Sequence, residues 1–503
     1  MLTLQDPPRR YVLPETPMLA WSPEDGRRRR IVGRLALCAI LALQAALTLR
    51  LGNTAFQDEA LYIYVGHLVW DGAPLAPYAA YFSGAPYLYP ALVAPFDSAF
   101  GLEGARLLSL LLMLGVTVFA YSITRRLFGL RSALLAAACY AVVESTPVLG
   151  RLATYDALSV FLIAFAFWAV VRFAHRAAVA VPAAAALCVL AFAVKYASGI
   201  FLPSVAAVAF AVALPRSGAL RALGRGAALA ALTGLGIGAF VLFGGISEGL
   251  RFTTTSRDAG LDSPAEVLRI AAEYGGIYLL IALFGAVMFW RGADLREVPG
   301  RSHDGPGRGA RLLLCAVLLG TALLAPLYQA HLHTIVALHK HLGYGLLFAA
   351  PLVGFGMSRL LGAHFRSPQF PIAAWLALFV FGYAHAQGVF ASWPDSGNLV
   401  KYLRTEVTPQ GRYLSAVPQV PIYYLGLDRT SPEQWTSTYG FTDLKAVKDG
   451  KFDLIVLDTM VTPDVNTEIQ RVIQESDRYR PRAKLKYDYG PIKGSYRIWV
   501  KTK

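Results

Sequence analysis

With 503 residues, 55% of them apolar and only 16% charged, the chain is too apolar for the ordinary soluble globular class. A mean hydropathy of +0.46 places it among proteins that cross a membrane several times. The formal net charge of +15 does not indicate nucleic acid, because the arginines gather at the ends of apolar runs.

Residues 1–30 are polar, with Pro and Arg, and are expected to be a disordered cytoplasmic N-terminus. The apolar run 31–50 lacks a small-x-small cleavage site, so it reads as an uncleaved signal anchor. Further runs long enough to span, at about 17 to 25 residues each, lie at 104–124, 131–149, 157–173, 178–196, 198–215, 226–246, 271–290, 311–328, 341–358 and 371–391. The chain is therefore read as a polytopic α-helical membrane protein with about eleven transmembrane helices. The division between the fifth and sixth is the hardest to draw. Arginines mark alternate ends, at Arg27 to Arg30, Arg125, Arg126, Arg172, Arg216, Arg221, Arg225, Arg291 to Arg311, Arg359 and Arg366. The positive-inside rule makes those ends cytoplasmic. An odd number of spans then leaves the N-terminus inside and residues 393–503 outside a plasma or inner membrane.

Between the first two spans, residues 52–97 form the first external loop, around which the rest is organised. It opens on the acid pair Asp58-Glu59 and continues through aromatics and prolines, among them Tyr62, Tyr87 and Tyr89. Carboxylates beside lipid are costly and need a partner, a cation or water, so this pair is a candidate site. Glu59 could join Asp58 in holding a divalent cation or raise its neighbour's pKa, or one of the pair could cap a short interfacial helix beginning near Asp58. The aromatics could stack on a sugar or belong to the interfacial aromatic belt.

Tyr155 and Asp156 open the fourth run on the same side of the membrane as Asp58, where Asp156 could complete a carboxylate cluster or pair with Arg151. Lys195 stands between the fifth and sixth runs and Lys340 at the junction of the ninth and tenth. They are the only lysines before residue 393. An ammonium is a compact point charge suited to phosphate, although each could simply snorkel to the headgroups. Arg257 and His339 are further external candidates for a phosphate. The histidines at 331, 333, 339 and 341 have no Cys beside them, and adjacent ones fall on different helical faces, which disfavours a metal site.

Beyond residue 393 the composition becomes soluble, with 17 Lys+Arg against 13 Asp+Glu. The pattern predicts a small α/β domain: strands at GRYLSAV and PIYYLG, a helix near SPEQWTSTYG, a buried strand FDLIVLD, a helix VNTEIQRVIQES and a terminal strand pair. It holds no phosphate loop, metal-spaced cluster or nucleophile motif. Its position suggests a cap over the outer mouth that helps recognise an acceptor.

Taken together, FQDEALYIYVG, APYLYPAL, RLATYDAL, AFAVKYASG and HKHLGYGLLFAAPL resemble the GT-C superfamily of polyprenyl-phosphate-sugar-dependent glycosyltransferases. The likeness spans roughly residues 31–360 and is nearest to the protein O-mannosyltransferase and lipid A aminoarabinose transferase branch. The resemblance implies inverting transfer of a hexose or pentose from a polyprenyl-monophosphate donor to a lipid, glycan or protein acceptor outside the membrane. It implies Asp58 as the catalytic base, Asp156 as the second acid and Lys195 as the phosphate contact. Where the aminoarabinose transferases carry an acidic and a basic residue, this chain reads Ser83-Gly84-Ala85-Pro86. That departure removes a metal or phosphate contact, leaving a divalent ion at Asp58, Glu59 and Asp156 as an open expectation. The competing reading is a transporter or lipid flippase using the rim carboxylates and lysines. Against it stand the placement of the charges at the rim and the lack of broken inverted repeats.

Overall fold

A computed structural model describes residues 23–73, 88–247, 250–251, 259–292, 307–362, 365–426 and 428–502. Lipid offers no hydrogen bonds to a backbone, so the apolar runs satisfy their amides internally as helices. In chain order these are α1 (Pro23–Thr48), α2 (Gln57–Trp70), α3 (Leu88–Phe128), α4 (Leu130–Val142), α5 (Ser145–Arg151), α6 (Tyr155–Arg172), α7 (Ala177–Val194), α8 (Leu202–Phe243), α9 (Pro264–Arg291), α10 (Arg308–His331), α11 (Leu338–Leu361) and α12 (Gln369–Ala391). Residues 23–30, expected to be disordered, extend the first span as helix, in keeping with the helix propensity of their arginines.

Nine helices among the described residues are long and apolar enough to cross a membrane, and the pair α4 and α5, bent by 64°, makes a tenth. The eleventh comes from α8. Its 42 residues would reach about 63 Å if straight, twice the hydrocarbon thickness. The helix instead breaks at Gly218, whose φ of 75° suits glycine. Its arms fold back on each other, so that a Cβ on Gly226 would stand 3.2 Å from the Ala206 carbonyl oxygen. The about eleven spans expected from the sequence are thus formed. Gly101 (φ 64°) breaks α3 in the same way, separating an arm at 88–100 from the span that follows.

Helix α11 runs through the middle of the bundle and is almost wholly buried. Lipid provides no hydrophobic drive between helices, so close packing must hold them. A Cβ on Gly285 of α9 would come within 2.0 Å of the Leu352 carbonyl oxygen of α11, and one on Gly354 of α11 within 2.1 Å of the Ser132 carbonyl oxygen of α4. Only glycine permits these approaches.

The C-terminal unit contains α13 (Gly397–Glu406), α14 (Gln419–Leu425), α15 (Leu444–Lys448), α16 (Pro463–Glu475) and strands β1 (Tyr413–Ser415), β2 (Trp435–Ser437), β3 (Leu454–Asp458), β4 (Tyr479–Tyr489) and β5 (Ile492–Lys501). The sheet order is β2-β1-β3-β5-β4. The first three strands are parallel, β5 is antiparallel to β3, and β4 is antiparallel to β5. Two expectations fail here. PIYYLG lies in helix α14, because an apolar run this short has no period of its own and its contacts choose the conformation. SPEQWTSTYG forms a single 3-10 turn, Pro432–Gln434, closed by a Ser431–Gln434 capping box, and then strand β2.

Helix α14 docks the unit onto the first loop. The Tyr423 hydroxyl donates to Asp97 at 2.6 Å, and the Tyr424 hydroxyl accepts from the Ala55 amide at 2.8 Å. A Cβ on Gly426 would meet the Tyr64 ring at 2.8 Å.

Candidate functional site

Asp58 and Glu59 are successive residues in the first turn of α2, about 100° apart around the helix. Adjacency in sequence therefore separates them in space. Glu59 turns inward and meets Arg106 of α3 in a fully buried bidentate pair, Nε to Oε1 and Nη2 to Oε2, both 2.8 Å. Its Oε1 also accepts the Ala153 amide at 3.0 Å. Arg106 donates onward to the Asn53 carbonyl at 2.8 Å, and Arg151 donates to the Leu51 carbonyl through Nε at 2.7 Å and to Glu103 at 2.7 Å. Two arginines thus clamp residues 51–54, the strap leading into α2. Glu59 is a structural anchor, not the substrate-lining residue expected of it.

Asp58 points the other way. Its Oδ2 lies 3.1 Å from the Lys340 ammonium in the first turn of α11. Gln57 just before it has a φ of 43°, left-handed for a residue with a side chain, at the start of the helix. Asp156, in the first turn of α6, accepts from Thr154 at 3.2 Å and forms an ion pair with Lys195. The alternative pairing of Asp156 with Arg151 does not form, because that guanidinium is committed to Leu51 and Glu103. Lys195 occupies the extended residue between α7 and the 3-10 turn Tyr196–Phe201. Its ammonium sits 5.2 Å from the Tyr155 ring centre and 5.9 Å from that of Tyr344, contacts that favour a cation.

Two acids and two lysines from four helix ends therefore make one electrically balanced quartet. Asp58 and Asp156 stand at helix N-termini, where the dipole favours an anion. Lys340 occupies a third such terminus and relies on its acid partner there. Asp58 has a side chain 35% exposed, against 12% for Lys340, 9% for Lys195 and 1% for Asp156. Asp58 alone of the four is open enough to meet an incoming hydroxyl group.

The other expected residues divide. Tyr155 is half-buried and stacks on Tyr62 at 4.6 Å between centroids. Tyr62 is itself buried, and Tyr89 is completely so, with its hydroxyl 3.4 Å from Ser109. These two aromatics wall the core beneath the site, because the break at Gly101 turns the 88–100 arm back and α2 packs on it. His339 lies half-buried within electrostatic range of Lys340, Asp156 and Lys195. His341 is buried beside the same groups, within electrostatic range of Lys195, Asp156 and Lys340, and its Nδ1 lies 2.7 Å from Gln329; the His333 ring is 3.1 Å from the Asp262 carbonyl. Tyr87 and Arg257 fall outside the described residues. Among the described residues no three His, Cys, Asp or Glu side chains gather to hold a metal ion. The candidate metal position at Asp58, Glu59 and Asp156 is not formed there, since Arg106 takes both oxygens of Glu59.

Arg106, Glu103 and Asn53 were not anticipated. The signal was present for Arg106, an ionisable residue inside an otherwise apolar run.

Comparison with known proteins bears on the same region. The family described as dolichyl-phosphate-mannose-protein mannosyltransferase matches residues 85–242. No curated protein sequence matches the chain. Among solved structures, ArnT from Cupriavidus metallidurans bound to undecaprenyl phosphate is similar, with a TM-score of 0.57 at 14% identity over 93% of this chain and 97% of that one. Archaeal oligosaccharyltransferase AglB from Archaeoglobus fulgidus, in complex with an inhibitory peptide and a dolichol-phosphate, has a TM-score of 0.54 at 12% identity. That match covers 94% of this chain and 75% of the other. Identities this low show likeness of fold.

Proposed function

From the GT-C membrane fold that this chain carries, we propose that it is an inverting glycosyltransferase. It takes a sugar from a polyprenyl-monophosphate donor and passes it to an acceptor hydroxyl on the extracytoplasmic side. The observation that carries this reading is the quartet, which sets an open carboxylate, Asp58, against a lysine at a helix N-terminus. A base and a phosphate site must lie on opposite sides of one reacting carbon, so the direct Asp58–Lys340 ion pair has to open when the donor enters.

The donor phosphate diester approaches Lys340, aided by the α11 dipole. In taking over the ammonium it releases Asp58, which turns to the acceptor. Lys195 stays fixed by Asp156 and the two tyrosine rings and supplies positive potential as charge develops on the leaving phosphate. The acceptor oxygen attacks the anomeric carbon, its proton passes to Asp58, and the bond from that carbon to the phosphate oxygen breaks. Prenyl monophosphate leaves with the electron pair, and the anomeric configuration inverts.

Whether a divalent ion assists is decided by titrating the reaction with a chelator. The test of the reading is transfer itself. Detergent-purified protein is incubated with radiolabelled polyprenyl-phosphate sugars and an envelope extract, alongside Asp58→Asn. Label should reach an acceptor with the native protein and not with the variant. Full transfer by Asp58→Asn would overturn the mechanism, and no consumption of any hexose or pentose donor would overturn the donor class.

A further inference from the structure

At the end of the bundle away from Asp58, a cavity of about 210 Å³ opens between the spans. Arg106 and Arg126 are about 30 Å apart along α3, so this cavity is far from the quartet. Arg126, His175 and Arg216 supply its polar groups, and Phe128, Phe289 and Leu314 are among its apolar walls. Among the described residues no carboxylate pairs with Arg126 or Arg216. Arg126 instead meets the like charges of Arg125 and Arg172.

Each feature excludes a class of ligand. A small inorganic anion would satisfy the arginines but leave the apolar walls bare. A zwitterionic lipid would fill the walls while contributing no net charge against the crowded guanidinium groups. A dry cavity of about 150 Å³ holds a benzene molecule, so this one has room for a length of acyl chain. We propose that the cavity binds one anionic phospholipid, with its phosphate between Arg126 and Arg216 and part of an acyl chain against Phe128, Phe289 and Leu314. Basic pockets between spans bind anionic headgroups by this combination of charge and hydrocarbon. The site is separate from the transfer reaction and does not depend on it.

The full-length protein in detergent, examined by native mass spectrometry with phosphatidylglycerol or phosphatidylethanolamine, tests this. One phosphatidylglycerol should be retained at least tenfold more tightly than phosphatidylethanolamine. Arg126→Gln with Arg216→Gln should abolish that preference. Leu314→Trp, which fills the cavity and keeps both arginines, should also weaken retention about tenfold. Equal retention of the two lipids, no effect of either variant, displacement by inorganic phosphate, or preferential capture of undecaprenyl phosphate would each overturn the proposal. If the double variant fails to fold, Leu314→Trp decides the matter by itself.

Discussion

The two ends of the bundle treat positive charge in opposite ways. At the Asp58 end, Lys195, Lys340 and Arg106 each face a carboxylate, while at the far end Arg125, Arg126, Arg172 and Arg216 crowd together with none among the described residues. Pairing fixes a charge in a defined place at the cost of desolvating both partners. Unpaired charge at a membrane surface costs less, because water and lipid headgroups solvate it. Defined placement is what group transfer demands, and the far end needs only attraction to an anionic surface.

If that contrast is right, the largest effect belongs to Asp58. Asp58→Asn should lower transfer by about 10²- to 10⁴-fold, the usual worth of a general base, while the detergent-solubilised protein stays folded, with a melting temperature lowered only modestly by the loss of the Lys340 ion pair. Loss of folding would move Asp58 into the structural group with Glu59.

Next comes Arg106→Met. It strands a buried carboxylate and should cost about 3–5 kcal/mol of stability, read as a large fall in melting temperature and in yield of inserted protein. Glu59→Gln added to Arg106→Met should recover much of that loss. Simple additivity in the double-mutant cycle would mean that the two residues do not act as a pair.

Tyr424→Phe removes one hydrogen bond between the C-terminal unit and the strap before α2. It should cost about 1 kcal/mol and raise hydrogen exchange at Ala55. No change there would mean that α14 does not hold the strap.

The smallest effect concerns Asp458, outside the membrane, whose carboxyl is pushed above its ordinary range by burial. One of its oxygens accepts from Tyr487 at 2.6 Å, while the other has no partner among the described residues. The folded state therefore prefers the protonated form. Its contribution to stability is complete below the unfolded value, near 3.9, and is lost as pH rises through the raised folded value. Exchange of the sheet amides should show the native unit less stable at pH 7 than near pH 4 by a margin that Asp458→Asn removes. An unchanged margin in the variant would assign the pH dependence to other groups.

Much of this was legible beforehand. Long apolar runs have one stable form in lipid, so the spans and the GT-C resemblance could be read from residue order. The lysines Lys195 and Lys340 also stood out, because every other basic residue before position 393 is arginine. The partners were less legible. For Asp156 the sequence suggested a carboxylate cluster or a pair with Arg151, whereas Arg151 is committed to Leu51 and Glu103 and Asp156 takes Lys195. PIYYLG misled because four apolar residues between Pro421 and Gly426 fit a strand as well as a helix. Tyr62 and Tyr89 could be read only as lining a substrate or joining the aromatic belt, and their burial under the site follows from the packing of α2 on the 88–100 arm.

By itself the sequence determined a membrane bundle of about eleven spans, a soluble C-terminal unit and an acid pair in the first loop. Those properties follow from hydrophobic length and from the cost of burying charge, which act along the chain. Tertiary structure alone decided which acid of the pair is fully buried against an arginine and which is the more exposed. Neighbouring residues on a helix point about 100° apart, and what waits in each direction, Arg106 for Glu59 and Lys340 for Asp58, is set by packing between segments distant in sequence.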